Sequence, residues 1–511
     1  LMNFARTMLT PVNPYTGLAL KDDPALTTIG LINEDPMMTT HEQFKYPNTD
    51  PVQHGNIREN FAAWCQAQGI TPPERPGLEL YTRFLNEHQV KIYREMTAAL
   101  RAMGIRQPTS DISCTNRSIY AFPRKEFDYV DNHYYFSHPR ALGSAWSFPS
   151  SYVNAGMASV LYKNMTACFA SRIKNKPFTV TEYNFCAPNE FRSEGGLAMG
   201  SLSAFQNASG IYVFDFAGYG HRTRWNSINE TGAHLGWFGV MTDPVRNLSQ
   251  RIITLLYMRG DVRQADAKNL KILTVTPLDY KKKSVQSYGY HRSETESDIP
   301  GKFHNLAFFT KIATDFADKV PVNGISLSSL ESDLPLKVSG NGIYQPEKGR
   351  IVSSTGEISI DAASRTIKVV TPKSEGFLAT GKEMKGNRLS VSGSTGLCTV
   401  FASALDDKTL ADTEKAVVFH LTDIQATGRR KTRLGDSFIV YNWGNMHPYL
   451  LKKSKAEISL KNSGKGKLRI NALDVNGKVL ASVPFKEENG VVTFTADSGL
   501  YSAMAYELIR K

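Results

Sequence analysis

Five short apolar or β-branched segments most constrain how this chain can fold. They are Leu26–Ile32, Thr109–Thr115, Phe127–Tyr135, Phe178–Tyr183 and Gly210–Phe216, each separated from the next by a helix or a long loop. Near-continuous apolar strands are buried on both faces, and strands alternating with helices imply a parallel sheet with helical crossovers. One crossover is plain. Leu80, Phe84, Leu85, Val90, Tyr93, Met96, Leu100 and Met103 recur at three- and four-residue spacings, which predicts a helix from about Leu78 to Gly104 with glycine at its C-terminal end. If such a sheet closes into a βα barrel, the chemistry gathers at the C-terminal ends of its strands.

Near Arg259-Gly260-Asp261 the texture changes, with Gly, Ser, Lys and Thr rising and tryptophan almost vanishing. Ile358–Ile360, Thr366–Val370, Leu389–Val391, Cys398–Phe401, Ala416–Leu421, Phe438–Asn442, Ala456–Leu460, Leu468–Ala472 and Val491–Thr495 read as short strands. Turn signals such as Lys385-Gly386-Asn387 and Glu488-Asn489-Gly490 separate many of them, the pattern of an antiparallel sandwich. The expected organisation is an α/β unit over residues 1–262, a partly helical connecting region over 263–347 with a helix at His304–Phe316, and an all-β sandwich over 348–511.

With 41% hydrophobic and 21% charged residues, disorder and collagen are excluded. No apolar run reaches the roughly 18 residues of a membrane helix. Lys plus Arg is 60 against 48 for Asp plus Glu, and a net +12 on 511 residues does not by itself imply nucleic acid. The clusters Lys281-Lys282-Lys283, Arg429-Arg430-Lys431 and Lys452-Lys453-Lys455 read as solvated faces, and no nucleic-acid motif is present. Five cysteines imply no disulfide framework. Leu1-Met2-Asn3-Phe4-Ala5-Arg6 shows no signal peptide.

Two carboxylates stand at ends of predicted strands: Glu34 in Thr28-Ile29-Gly30-Leu31-Ile32-Asn33-Glu34, and Glu182 in Phe178-Thr179-Val180-Thr181-Glu182-Tyr183-Asn184. Such a pair can hydrolyse a glycosidic bond, one protonating the leaving oxygen while the other attacks the anomeric carbon or activates water. Arg192 and Glu194 read as a surface ion pair rather than a loop-ordering one. Trp146, Tyr183, Phe216, Tyr219, Trp225 and Trp237 fall in or near strand-end loops, where aromatic rings could stack on sugar faces.

Asn33-Glu34, Glu182, the approach Asn13-Pro14-Tyr15-Thr16-Gly17 and the stretch Asp131-Asn132-His133-Tyr134-Tyr135 together resemble the clan of retaining glycoside hydrolases on a (β/α)8 TIM barrel. That clan includes the cellulase, mannanase and β-galactosidase families. The resemblance covers roughly residues 1–262 and aligns the five segments with the clan's strands four to eight. It implies cleavage of β-glycosidic bonds in a poly- or oligosaccharide by double displacement, with Glu34 as acid/base and Glu182 as nucleophile. Substrate contacts would come from Asn33, His133, Tyr134, Trp146, Tyr183 and Trp225. No cofactor or metal is implied. For Glu34 to act as the acid, burial or the charge of Glu182 should raise its pKa, while Glu182 should stay ionised with help from Tyr134 or His133. Only Leu1–Ala25 precede the first segment, so the clan's strands one to three and its arginine near strand two have no counterpart. The expectation is therefore an incomplete barrel whose start was lost, poorly stable and inactive by itself, from a secreted or periplasmic protein. Two other readings stand beside this one. The first is a non-catalytic carbohydrate-binding protein on a relic barrel. The second is a metal-dependent hydrolase using Asp131, His133 and His138, opposed by the five-residue spacing of its histidines, which does not suit one strand face.

Overall fold

The computed structural model describes residues 2–34, 51–74, 76–144, 146–160, 163–216, 236–281, 297–299, 301–322, 324–327, 341–445 and 448–511. The expected strands form, shorter at several ends. We label them β1 (Ile29–Gly30), β2 (Thr109–Ser110), β3 (Val130–Phe136), β4 (Phe178–Phe185) and β5 (Gly210–Val213). All their pairings are parallel: Ile29 lies opposite Thr109, Val130 opposite Phe178, and Thr179 opposite Gly210. Between β2 and β3, the Asp128 N–H donates to the Thr109 carbonyl at 3.0 Å. β2 stops early because Ile112 takes a left-handed φ of +57°, which breaks the extended run.

The predicted crossover helix, α1 (Leu78–Ala102), buries Tyr81, Phe84, Leu85, Tyr93 and Leu100. It carries Arg83–Glu87 and Lys91–Glu95 ion pairs on its outer face. Gly104, at φ +81°, follows it. After β4 comes α2 (Gly195–Gln206), every residue of which is buried, and after β5 comes α3 (Pro244–Ile253). Asp243 caps α3 by accepting from the Val245 N–H.

The region after residue 262 departs from expectation. The predicted helix His304–Phe316 is only a short helical stretch, Gly301–Asn305 continued by a turn at Leu306–Phe308. Its second half is the strand Ile312–Phe316, which joins Lys271–Val275 and Ile325–Ser326 in a three-stranded parallel sheet. Ile312, Thr314 and Phe316 alternate along this strand, and Thr314 bridges to Ile173 beside the first unit. Period-two placement of β-branched and aromatic residues outweighs the helical spacing read there.

Beyond Tyr344 the chain is antiparallel. A ten-stranded sheet and a five-stranded sheet pack face to face, with Phe377, Val400, Val418, Ile458, Ile470 and Phe494 among the residues between them. The other face of the ten-stranded sheet, with Ile360, Val369, Leu378, Phe401 and Phe419, shares one core with α2 and α3. The approach is close: a Cβ added to Gly376 would lie 2.7 Å from Cδ2 of Leu197 on α2. A buried ion cluster fastens the same junction. Arg192 binds Asp243 at 2.6 Å and Asp423 of the sandwich at 2.5 Å. Arg192 is therefore no surface residue, and neither is Glu194, which accepts the N–H groups of Met157 and Ala158. The expected surface ion pair does not form because each side chain found a buried partner instead.

The sandwich also reaches back over the first unit. Its ribbon Lys431–Leu434 and Ser437–Val440 pairs with Ser150–Val153, which with Arg140–Ala141 lies in the loop that follows β3, to make a four-stranded sheet. The cluster Arg429-Arg430-Lys431 belongs to this ribbon and is not simply a solvated face. Arg429 lies 5.7 Å from the Trp443 ring centroid, and Lys431 lies 4.1 Å from that of Phe438.

Candidate functional site

A cavity of about 530 Å³ lies near residues that precede the parallel strands, with Thr28, Pro108, Tyr129 and Pro177 in its walls. The titratable cluster lies at the opposite, C-terminal ends. On β3 the side chains alternate, so Asp131, His133 and Tyr135 share one face and Tyr134 takes the other. On β4 the register against β3 slips by one residue: Val180 pairs with Asn132, but Glu182 pairs with His133. This bulge leaves Thr181 over. Its N–H and hydroxyl both donate to Asp131, and the Thr179 hydroxyl donates to the same carboxylate at 2.7 Å. The slip is what sets Glu182 beside His133.

Glu34 arrives from the end of β1. Its φ is +51°, and its N–H donates to Ser113 Oγ at 3.2 Å. Its Oε1 lies 2.7 Å from His133 Nδ1, and Glu182 Oε2 lies 3.5 Å from the same nitrogen. The two carboxylates thus converge on one imidazole. Tyr135 donates to Glu182 Oε2 at 2.5 Å. Beneath them, buried Arg124 donates to the carbonyls of Ile112 and Thr115, and Asn132 donates to the Thr115 carbonyl, Asn116 Oδ1 and Ser171 Oγ. These bonds hold the irregular stretch after β2 in place.

The electrostatics depart from expectation. The hydrogen bond from His133 holds the Glu34 carboxyl below its ordinary value, ahead of the opposing effect of burial. Burial lifts Glu182 above its ordinary value, against the pull of His133 and Tyr135. Burial disfavours charge on His133, yet its hydrogen bond to Glu34 and the charges of Glu182 and Asp131 outweigh that and raise it. These shifts favour the charged forms of His133 and Glu34 and disfavour charge on Glu182. The sequence reading considered burial and the neighbouring carboxylate, and missed an imidazole bonded directly to Glu34. Burial, followed by the charge of Glu182, raises Tyr135 far above its ordinary value, so it stays a donor.

Other expected contacts sort clearly. Asn33 is exposed next to Glu34. Trp146 is 53% exposed, with its ring 5.5 Å from that of His138 and 5.5 Å from that of Trp237. Tyr134 and Tyr183 do not reach the site. They stack on each other in the core, their hydroxyls bonded to Met157 Sδ and the Gly195 carbonyl. Trp225 and Tyr219 lie outside the described residues. Among the described residues Asp131, His133 and His138 form no ligand group, and His138 turns its Nδ1 to the Pro139 carbonyl at 2.9 Å. Sequence reasoning missed Tyr135 and Cys114. The thiol of Cys114 interacts with Glu34 at the site mouth. The signal for Tyr135 was present, because residues i and i+2 on a strand face the same way.

No protein-family model matches the chain, and no curated protein matches it in sequence. The solved structures weakly similar to it include two β-galactosidases. One is Gan42B, a GH42 β-galactosidase, at 11% identity and a TM-score of 0.31, covering 89% of this chain and 75% of that one. The other is a cold-adapted β-galactosidase from Rahnella sp. R3, at 12% identity and a TM-score of 0.32, covering 97% of this chain and 86% of that one. Likeness of this degree does not assign a family, a fold or a reaction. Among the described residues no helix is long and apolar enough to cross a membrane.

Proposed function

We propose that the chain carries the two-carboxylate site of an enzyme that cleaves β-glycosidic bonds of a poly- or oligosaccharide with retention, and that β1 to β5 are strands four to eight of a (β/α)8 barrel. Glu34 is the acid/base and Glu182 the nucleophile. One observation carries this reading: a carboxylate oxygen of each residue lies within 2.7 Å and 3.5 Å of the same His133 nitrogen. Those oxygens can be no farther apart than the sum of the two distances. Both carboxylates can therefore address one anomeric carbon, which the two-carboxylate mechanism requires.

The proton held near His133 moves to Glu34 when substrate enters, which leaves a neutral imidazole and a protonated acid. A Glu182 oxygen then bonds to the anomeric carbon as the glycosidic C–O bond breaks, and the leaving oxygen takes the Glu34 proton. In the second half a water gives its proton to Glu34, its oxygen bonds to the anomeric carbon, and the Glu182 ester bond breaks. Tyr135 donates to Glu182 throughout the resting state and loses that acceptor strength as the ester forms. Asn33 donates to the sugar 2-hydroxyl, and Trp146 offers a face to an adjoining ring.

The test is a chemical trap. Activated deoxyfluoro β-glycosides glycosylate a retaining nucleophile, losing their leaving group, and then stall, so one event per molecule suffices and no turnover is needed. Peptide mass analysis of the trapped chain should place one glycosyl group on Glu182, and Glu182→Gln should take none. A protein that only binds carbohydrate gains no label, and a label on another residue removes the assignment.

A further inference from the structure

The ends of β1, β2 and β3 bring together one oxygen, one sulfur and one nitrogen ligand. We propose that Glu34, Cys114 and His133 form a binding site for a single thiophilic divalent cation of the zinc class. Their ligand atoms all lie within 4.8 Å of one another. Ligands of a tetrahedral zinc, each about 2.0–2.3 Å from the ion, stand about 3.3–3.8 Å apart. The Glu34–His133 pair, now at 2.7 Å, opens by under an ångström as the ion replaces the proton between them. Cys114 Sγ, no more than 4.8 Å from either, need move by at most about an ångström.

Three further features suit a cation here. First, His133 turns Nδ1 to the site while Nε2 lies 3.9 Å from Asp131 Oδ2, so the ligating ring has a carboxylate behind it, a little beyond hydrogen-bond reach. Asp131 is itself held by Thr179 and Thr181. Second, Glu182 lies 3.5 Å from the same Nδ1, so a cation there sits in the field of a second carboxylate. Third, the site has an entrance. The Glu34 side chain is 36% exposed, and Cys114 is only partly buried, whereas the other four cysteines are buried. Three protein ligands leave a fourth position to water.

Binding is a ligand exchange with a simple balance. The cation takes the Cys114 sulfur as thiolate, the His133 nitrogen and the Glu34 oxygen, and two protons leave to solvent: the thiol proton and the one shared by Glu34 and His133. One consequence rests on the proposed function. An ion on Glu34 occupies the acid/base, so zinc blocks hydrolysis and a chelator restores it. The site itself rests on the ligand geometry alone.

The experiment titrates the full 511-residue chain with Co²⁺ as a spectroscopic stand-in. One equivalent should produce a thiolate-to-cobalt charge-transfer band that Zn²⁺ displaces and a chelator abolishes. Cys114→Ser should lose the band and weaken zinc binding at least tenfold in competition with a chromophoric chelator. Cys398→Ser, which alters a thiol of the sandwich, should keep both. Glu34→Gln should keep the band and still weaken zinc about tenfold, and it changes a half-exposed side chain that the fold tolerates. No band with the unaltered chain, or a band that survives in Cys114→Ser, overturns the site. Glycosyl labelling of Glu182 without a band removes the metal site only. A band without labelling removes the hydrolase reading only.

Discussion

Tyr135 and Tyr134 are neighbours in sequence with opposite fates, and the difference is physical. Strand alternation sends Tyr135 to the face of His133 and Glu182, while Tyr134 goes to the core against Tyr183. Under the proposed chemistry Tyr135→Phe removes a hydrogen bond to a charged nucleophile, worth about 1.5–3 kcal/mol. That bond helps hold Glu182 ionised, so we expect the acid limb of the Glu182 labelling rate by the fluoro glycoside to move to higher pH and labelling on that limb to slow. Tyr134→Phe should leave that rate unchanged and cost only a weak contact to Met157 sulfur. Equal rates for Tyr135→Phe and the unaltered chain would remove Tyr135 from the machinery. At this scale the sequence was partly legible. Glu34 and Glu182 were read from strand-end position and His133 from the resemblance, and the structure brings the three side chains together. The bulge at Thr181 was not legible, because nothing in Thr179-Val180-Thr181 marks the extra residue that turns Glu182 toward His133. Nor was the direction of the Glu34 shift, which depends on a 2.7 Å contact between residues 99 positions apart.

Among the elements, the ribbon over Lys431–Val440 was read as an ordinary sandwich strand at Phe438–Asn442. In the structure it leaves the sandwich and completes a sheet with Ser150–Val153, bringing Phe438 and Val440 against Tyr152, Trp237 and Cys186. Local pattern identifies a strand, but not which chain segment it pairs with, and that pairing spans nearly 300 residues here. The result is an aromatic layer that runs from Trp443 through Trp237 to Trp146 beside the site, with Trp443 and Trp237 centroids 5.0 Å apart. Phe438 is 2% exposed, so Phe438→Ala should cost about 3 kcal/mol locally through lost contacts and a cavity. Amide hydrogen exchange should quicken at 150–153 and 437–440 while the five-stranded sheet at 455–461 keeps its protection. Undiminished protection of the ribbon would show that Phe438 does not anchor it.

For the whole molecule, the ten-stranded sheet is the spine, packing α2 and α3 on one face and the five-stranded sheet on the other. A polar side chain inside that spine makes stability depend on pH. His420 lies in the strand Lys415–Leu421 on the same face as Ala416 and Val418, fully buried between the sheets. Its Nε2 meets Ser454 Oγ at 3.3 Å. Burial lowers its pKa from the ordinary value of about 6.5 to about 4, because charging the ring inside the sandwich is costly. The sign follows directly. A histidine depressed in the folded state stays neutral there while the unfolded chain takes up the proton, so the folded state loses stability as pH falls from about 6.5 through about 4. Above that window the contribution is whole, and below it the loss is complete at about 3 kcal/mol. Other groups also titrate in this range, so the comparison is made against His420→Gln, which keeps a polar side chain and removes the proton site. Urea unfolding at pH 7, 5.5 and 4.5 should show the unaltered chain losing more stability on acidification than the variant, by about one proton's worth of slope. Parallel losses in the two chains would mean that His420 does not govern the acid response, and that the cost of charging the spine is borne by other groups.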